Sequence, residues 1–284
     1  QIPFEKGVFD RRELPRECEL ADDFPKYAGM VSAGRGERTA FQLTGLPEQG
    51  GYKNIIVGEM SVKDVLDLAH GYGVTITELI VSVMIASFAR LQDERVPKRR
   101  QRPLKVLIPT NLRRMFPSET LRNFVLYITP GIDPQLGDYS FEEILAEVHH
   151  QMSLELSPKR MAARIRANVK IEQMPLLKIL PLFVKNIGMK IAYELTGEKK
   201  SCITISNLGN ITLPDEIARH TRRFGFTLGT QVTSPNNCAV LSYGGRLYIS
   251  MIRRIEEPVL EREFFTYLRK LGLHITLRSN QRRS

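Results

Sequence analysis

Apolar positions change period along this chain, and the changes mark its elements. Between 104 and 129 two short β-branched runs, Lys105-Val106-Leu107-Ile108-Pro109 and Asn123-Phe124-Val125-Leu126-Tyr127-Ile128, flank the polar stretch Thr110-Asn111-Leu112-Arg113-Arg114. Such runs, bounded by Pro, Asn and Ser, predict two strands covered on both faces with a turn between them. Asn111, Arg113, Arg114, Arg122 and Asn123 gather where those strands end.

Upstream the period is helical. Ser61 with Asp64 opens one helix with a stripe of Val62, Val65, Leu66 and Ala69, stopped by Gly71 and Gly73. Thr75 with Glu78 opens the next, and from Ile76 to Leu91 it is apolar almost all round, which predicts a core helix. Ser140 with Glu143 and then Ser157-Pro158 start two more, and a further helix is expected over 176–195. After Gly197 the pattern turns to strands: Cys202 to Ile205 with Ser206-Asn207-Leu208-Gly209-Asn210 as its turn, then 239–243 and 246–251 as a hairpin about Gly244-Gly245. A closing helix runs from Val259 to Leu271, and the basic residues 278–284 read as a frayed end. Residues 1–53 are broken by Gly and Pro and read as a linker arm with a short strand at 40–43, and 54–57 reads as a further strand after it. Residues 54–284 then form an α/β domain, a mixed β-sheet flanked by helices. The order is not the βαβ alternation of a doubly wound nucleotide-binding fold.

Composition adds little to this: 284 residues, 42% apolar and 25% charged, suffice for a globular core. The three cysteines form no C-x-x-C pair, which fits a reducing, cytoplasmic setting better than a disulfide scaffold. No run of about 18 apolar residues suggests a membrane span. The net charge of +10 could favour phosphate-bearing or acidic partners. Its one dense run, Lys98-Arg99-Arg100-Gln101-Arg102, is either a solvated loop or a phosphate clamp. With no Trp and no aromatics between these charges, a nucleic-acid partner is not favoured.

Several chemistries are excluded by motif. There is no Walker sequence and no G-x-S-x-G. No histidine stands in a metal-ligand pattern, and His149-His150, adjacent on a helix, point about 100° apart, so no metal is expected. The two polar turns remain. Asn111, Arg113 and Asn123 in one, and Ser206 and Asn207 in the other, either line a cleft or cap their own turns.

At these turns the chain resembles the CoA-dependent acyltransferases, the superfamily of chloramphenicol acetyltransferase and the condensation domains, and most of all the bacterial alcohol acetyltransferases. The residues carrying the resemblance are Gly73 to Glu78 opening a buried helix, Val106 to Arg114, Arg122-Asn123-Phe124, Ser206 to Gly209, Arg223 to Phe226, Ser242-Tyr243 and Glu263-Phe264-Phe265. The family's D-F-G-W signature is missing, and Arg223-Phe224-Gly225-Phe226 stands loosely in its place. The resemblance implies a two-lobed fold with a tunnel for acyl-CoA and acceptor, of which this chain would be the second lobe. It also implies an H-x-x-x-D base, yet the residues four beyond the histidines are Val74, Ser153, Leu154, Phe224 and Arg278. The expectation is therefore a C-terminal part lacking the first lobe and its base, inactive alone and prone to self-association. Its donor would be acyl-CoA, a co-substrate rather than a bound cofactor, and its acceptor a small alcohol or amine. Asn111, Arg113, Asn123, Ser206 and Asn207 would line the tunnel. Lys98, Arg99 and Arg100, or Lys199 and Lys200, would meet the CoA phosphates. The alternatives are a non-catalytic basic binding module and a protein that sequesters a carrier or lipid.

Overall fold

The computed structural model describes residues 14–28, 38–173, 181–182, 186, 188, 198–231 and 234–281. The chain divides into two compact units. The smaller gathers Gln1–Gly34, Thr110–Leu126 and Ser157–Ile179, and the larger comprises Arg35–Pro109, Tyr127–Leu156 and Leu180–Ser284.

The larger unit is built on a mixed sheet. Its strands are β1 (Asn54–Ser61), β2 (Leu104–Asn111), β3 (Val125–Ile128), β4 (Gly131–Ile132), β5 (Ile203–Asn210), β6 (Asn236–Tyr243), β7 (Arg246–Arg253) and β8 (Thr276–Ser279). Their order is β3-β2-β5-β6-β7-β1-β8, with β4 beside β2. β5 runs parallel to β2 and β6, while β6, β7, β1 and β8 alternate in direction. Parallel strands are covered on both faces, and β6 is accordingly buried from Asn236 to Leu241. Gly244 and Gly245, at φ +57° and +73°, supply the left-handed pair that a two-residue hairpin needs between β6 and β7.

Three helices pack this unit: α2 (Val62–Gly71), α3 (Ile76–Arg95) and α4 (Phe141–Glu155), followed later by α7 (Val259–Lys270). The first short helix, α1 (Glu17–Leu20), and α5 (Pro158–Glu172) belong to the smaller unit, and α6 (Asp215–Ala218) lies between β5 and β6. The predicted caps form: the side chains of Ser61, Thr75 and Ser140 accept from the backbone N–H three residues on. α3 is buried on nearly every side, through Leu79, Ile80, Val83, Met84, Ile85 and Phe88. Its buried Ser82 and Ser87 donate to the carbonyls of Glu78 and Val83, which removes the penalty of an unpaired hydroxyl. α7 ends at Gly272, at φ +93°, where Leu273 N–H returns to the Leu268 carbonyl.

The smaller unit is held by the 110–126 loop. Thr120 Oγ1 donates to the Ala21 carbonyl at 2.6 Å and Leu121 N–H to the Glu19 carbonyl at 2.8 Å. Phe124, fully buried, meets the edge of Phe24 with centroids 5.0 Å apart and lies 5.9 Å from Tyr27. Met161, Ile165 and Val169 form the buried stripe of α5 expected from their spacing.

Four expectations change. Residues 40–43 are extended but not a strand, because Ala40 and Phe41 each donate to a different segment, at Lys199 and Pro103, and no ladder forms. Asn123 and Phe124 precede β3 rather than opening it. The supposed turn at 206–210 is the outer half of β5. It continues across a bulge, with pairing resumed at Asn210↔Ser242 and Gly209 at φ +77°. The frayed tail begins later than expected: Arg278 and Ser279 belong to β8, and Asn280 locks it, its Oδ1 accepting from Ile55 N–H at 2.7 Å. The helix expected over 176–195 lies largely outside the described residues.

Candidate functional site

The polar residues at the outer half of β5 sit at one end of the sheet. Asn207 Oδ1 accepts from Gly209 N–H at 2.8 Å, an Asx turn that shapes the bulge. Its Nδ2 donates to Thr77 Oγ1 at 2.9 Å, tying β5 to the first turn of α3. Among the described residues the second Nδ2 hydrogen of this exposed amide has no partner. Ser206, beside it, is half-buried.

The same turn of α3 carries Glu78, a residue that sequence reading treated only as a cap. Its carboxylate is nearly buried, and Oε2 accepts from Thr75 N–H at 2.7 Å. Oε1 lies 3.1 Å from Nδ1 of His149 on α4. A histidine whose Nδ1–H is directed at a carboxylate presents Nε2 as its basic nitrogen. The His149 side chain is 48% exposed. The pairing with Glu78, 71 positions away, has no local signal in the sequence.

The other polar turn lies in the smaller unit. Asn111 Oδ1 accepts from Arg113 N–H at 3.1 Å and so starts the short turn Leu112–Arg114. The Arg113 guanidinium faces the loop backbone: Nε and Nη2 donate to the Thr120 carbonyl at 3.2 and 2.6 Å, and Nη2 also to that of Arg122 at 2.6 Å. Arg113 thus braces the loop, with hydrogens to spare on its fork. Asn123 is exposed.

Among the basic residues, Lys98 pairs with Asp138. Arg99, Arg100 and Lys199 are exposed and Lys200 half-buried. Burial pushes the thiols of Cys202 and Cys238 up to about 12, so neither ionises near neutrality to act as a nucleophile. Among the described residues, no group of three or more His, Cys, Asp or Glu is placed to hold a metal, and no single helix is long and apolar enough to cross a membrane.

No family model and no curated protein matches the chain. Among solved structures it is similar to a trichothecene 15-O-acetyltransferase from Fusarium sporotrichioides, with TM-score 0.54 and 11% identity over 81% of this chain and 49% of that one. It is also similar to the nonribosomal peptide synthetase FmoA3, with TM-score 0.52 and 12% identity over 82% of this chain and 24% of that one. The epimerization domain from the third module of tyrocidine synthetase B matches 88% of this chain, at 12% identity and TM-score 0.48, over 54% of its own length. The chain therefore spans about half, or less, of the length of these structures. Its mixed sheet flanked by helices is the fold of the condensation-domain and chloramphenicol-acetyltransferase-like acyltransferases.

Proposed function

We propose that the chain is the second lobe of an acyltransferase that moves an acyl group, acetyl in the first instance, from CoA to a small alcohol or amine. The observation that carries this reading is the polar end of β5, Ser206-Asn207, set on a fold shared with an acetyltransferase. There the remaining Nδ2 hydrogen of Asn207 is a donor suited to the oxyanion of a tetrahedral intermediate. Asn111, Arg113 and Asn123 take the part of bracing or lining groups in the smaller unit. The CoA phosphates meet Arg99 and Arg100, or Lys199 and Lys200, with Lys98 available once released from Asp138. The general base that takes the acceptor proton is supplied from a first lobe outside this sequence, because no histidine here has Asp four residues on. Without that lobe the chain self-associates through the apolar surface the lobe would cover.

The test is acetyl transfer from acetyl-CoA to a panel of alcohols and amines. It compares this chain with one extended by a lobe of about 100–150 residues. Activity in the longer chain alone, lowered by Asn207→Ala, is the expected result. Activity in neither would overturn the proposal. Activity in the short chain would place the base within it and direct attention to His149.

A further inference from the structure

A cavity of about 420 Å³ opens in the larger unit beside the Gly244-Gly245 hairpin. Its charge is one-sided. Four arginines line it, Arg222 and Arg223 from the segment before β6, Arg246 from β7 and Arg278 from β8, against a single carboxylate, Glu59 of β1. Arg246 Nε lies 3.8 Å from Glu59 Oε1 and Arg278 Nη2 lies 3.7 Å from Oε2. Both separations exceed hydrogen-bond length, so Glu59 faces the two guanidinium groups without hydrogen-bonding either of them. Arg222 and Arg223 are exposed and make no ion pair among the described residues.

The wall of the cavity is ordered, unlike that of a chance cluster of surface cations. Tyr248, only 4% exposed, contributes its ring from β7, where it pairs across the ladder with Glu59. Burial pushes its phenol up and the Glu59 charge adds to this, while Arg223, Arg246 and Arg278 act in the other direction. Tyr243 is fixed by its hydroxyl, which donates to the Thr221 carbonyl at 3.1 Å, and by Phe224, 5.6 Å away centroid to centroid. These two contacts anchor the Thr221–Phe224 segment that carries Arg222 and Arg223. Gly244 has no side chain to cover the mouth, and a Cβ there would meet nothing within 4 Å.

We infer that this cavity binds a multiply charged phosphate, a diphosphate or a phosphate monoester, through Arg222, Arg223, Arg246 and Arg278. Planar guanidinium forks match phosphate oxygens in pairs. An excess of four cations over one carboxylate suits a ligand of two or more negative charges better than a single carboxylate. The inference does not depend on acyl transfer and is tested without it.

The experiment is calorimetric titration of the chain with inorganic pyrophosphate, with inorganic phosphate alongside. A parallel arm uses sedimentation with vesicles containing phosphatidic acid, which offers a phosphate monoester as a lipid headgroup. Pyrophosphate is expected to bind, and Arg223→Ala with Arg246→Ala to weaken it by at least about tenfold. Glu59→Gln removes the one repelling charge and is expected to tighten binding. Arg223 and Arg246 are exposed, so these variants should fold, and unchanged melting temperatures check it. Pyrophosphate binding without vesicle sedimentation assigns a soluble phosphate. Vesicle binding that pyrophosphate displaces and the arginine substitutions abolish assigns a headgroup at the same site. No pyrophosphate binding, or binding indifferent to the arginine and Glu59 substitutions, overturns the inference.

Discussion

Arg253 is fully buried at the end of β7, and its charge is answered from α7 by Glu261, 1% exposed, with Nη1 3.5 Å from Oε1. Two further donors reach the backbone: Nε donates to the Ile255 carbonyl at 2.9 Å and Nη2 to that of Glu256 at 3.3 Å. Glu261 is less well served, since its Oε2 has no hydrogen-bond partner among the described residues. Burial therefore raises the Glu261 pKa, outweighing the lowering influence of Arg253. The native state then holds the proton to higher pH than the unfolded chain. This group's contribution to stability is full below its unfolded value and declines as pH rises through the folded one. Glu261→Gln removes a titrating group, so chemical denaturation from pH 4 to 8 should show the wild type losing stability relative to the variant as pH rises. Breaking a buried pair sets a constant offset, on the order of 3 kcal/mol, but does not change that sign. A difference that is flat with pH would contradict the buried assignment. None of this was legible in sequence, because only the meeting of β7 with α7 makes Arg253 and Glu261 a pair.

At the scale of elements, the capping boxes were legible because they are local. Ser61, Thr75 and Ser140 act on groups three residues away, and the apolar breadth of α3 follows from side-chain pattern alone. Contacts between elements were not legible. Gly58 in β1 is the seat of Phe265 from α7, and a Cβ there would overlap that ring. Gly58→Ala should therefore destabilise the chain by roughly 1–3 kcal/mol through overpacking. Pairing it with Phe265→Leu should recover part of the loss. An Ala variant as stable as wild type in thermal melts would refute the packing of α7 on β1. The bulge in β5 teaches the same lesson. Asn and Gly close together read as a turn, but the turn-forming bond, from Gly209 N–H to Asn207 Oδ1, operates inside a strand that goes on to pair with β6.

For the whole molecule, the smaller unit is assembled from three separate stretches of chain. A linker arm was expected over residues 1–53. Within it, residues 14–28 pack on the 110–126 loop through Phe24, Tyr27 and the backbone carbonyls of Glu19 and Ala21. Phe24→Ala removes a ring contact worth about 1 kcal/mol beyond its area. It should expose Arg113, Arg114 and Arg122 to trypsin while amide protection in the sheet stays unchanged. Proteolysis as slow as that of the wild type would separate the arm from the loop. The sequence by itself determined the helices with their caps, the buried strands, the Gly244-Gly245 hairpin and the mixed α/β class, because each depends on residues within about one turn of their partners. Only the tertiary structure decided that Glu78 meets His149, that the basic tail joins the sheet as β8, and that four arginines from three segments share one cavity. Those pairings depend on which distant segments the packing of the core brings together, and no local period encodes them.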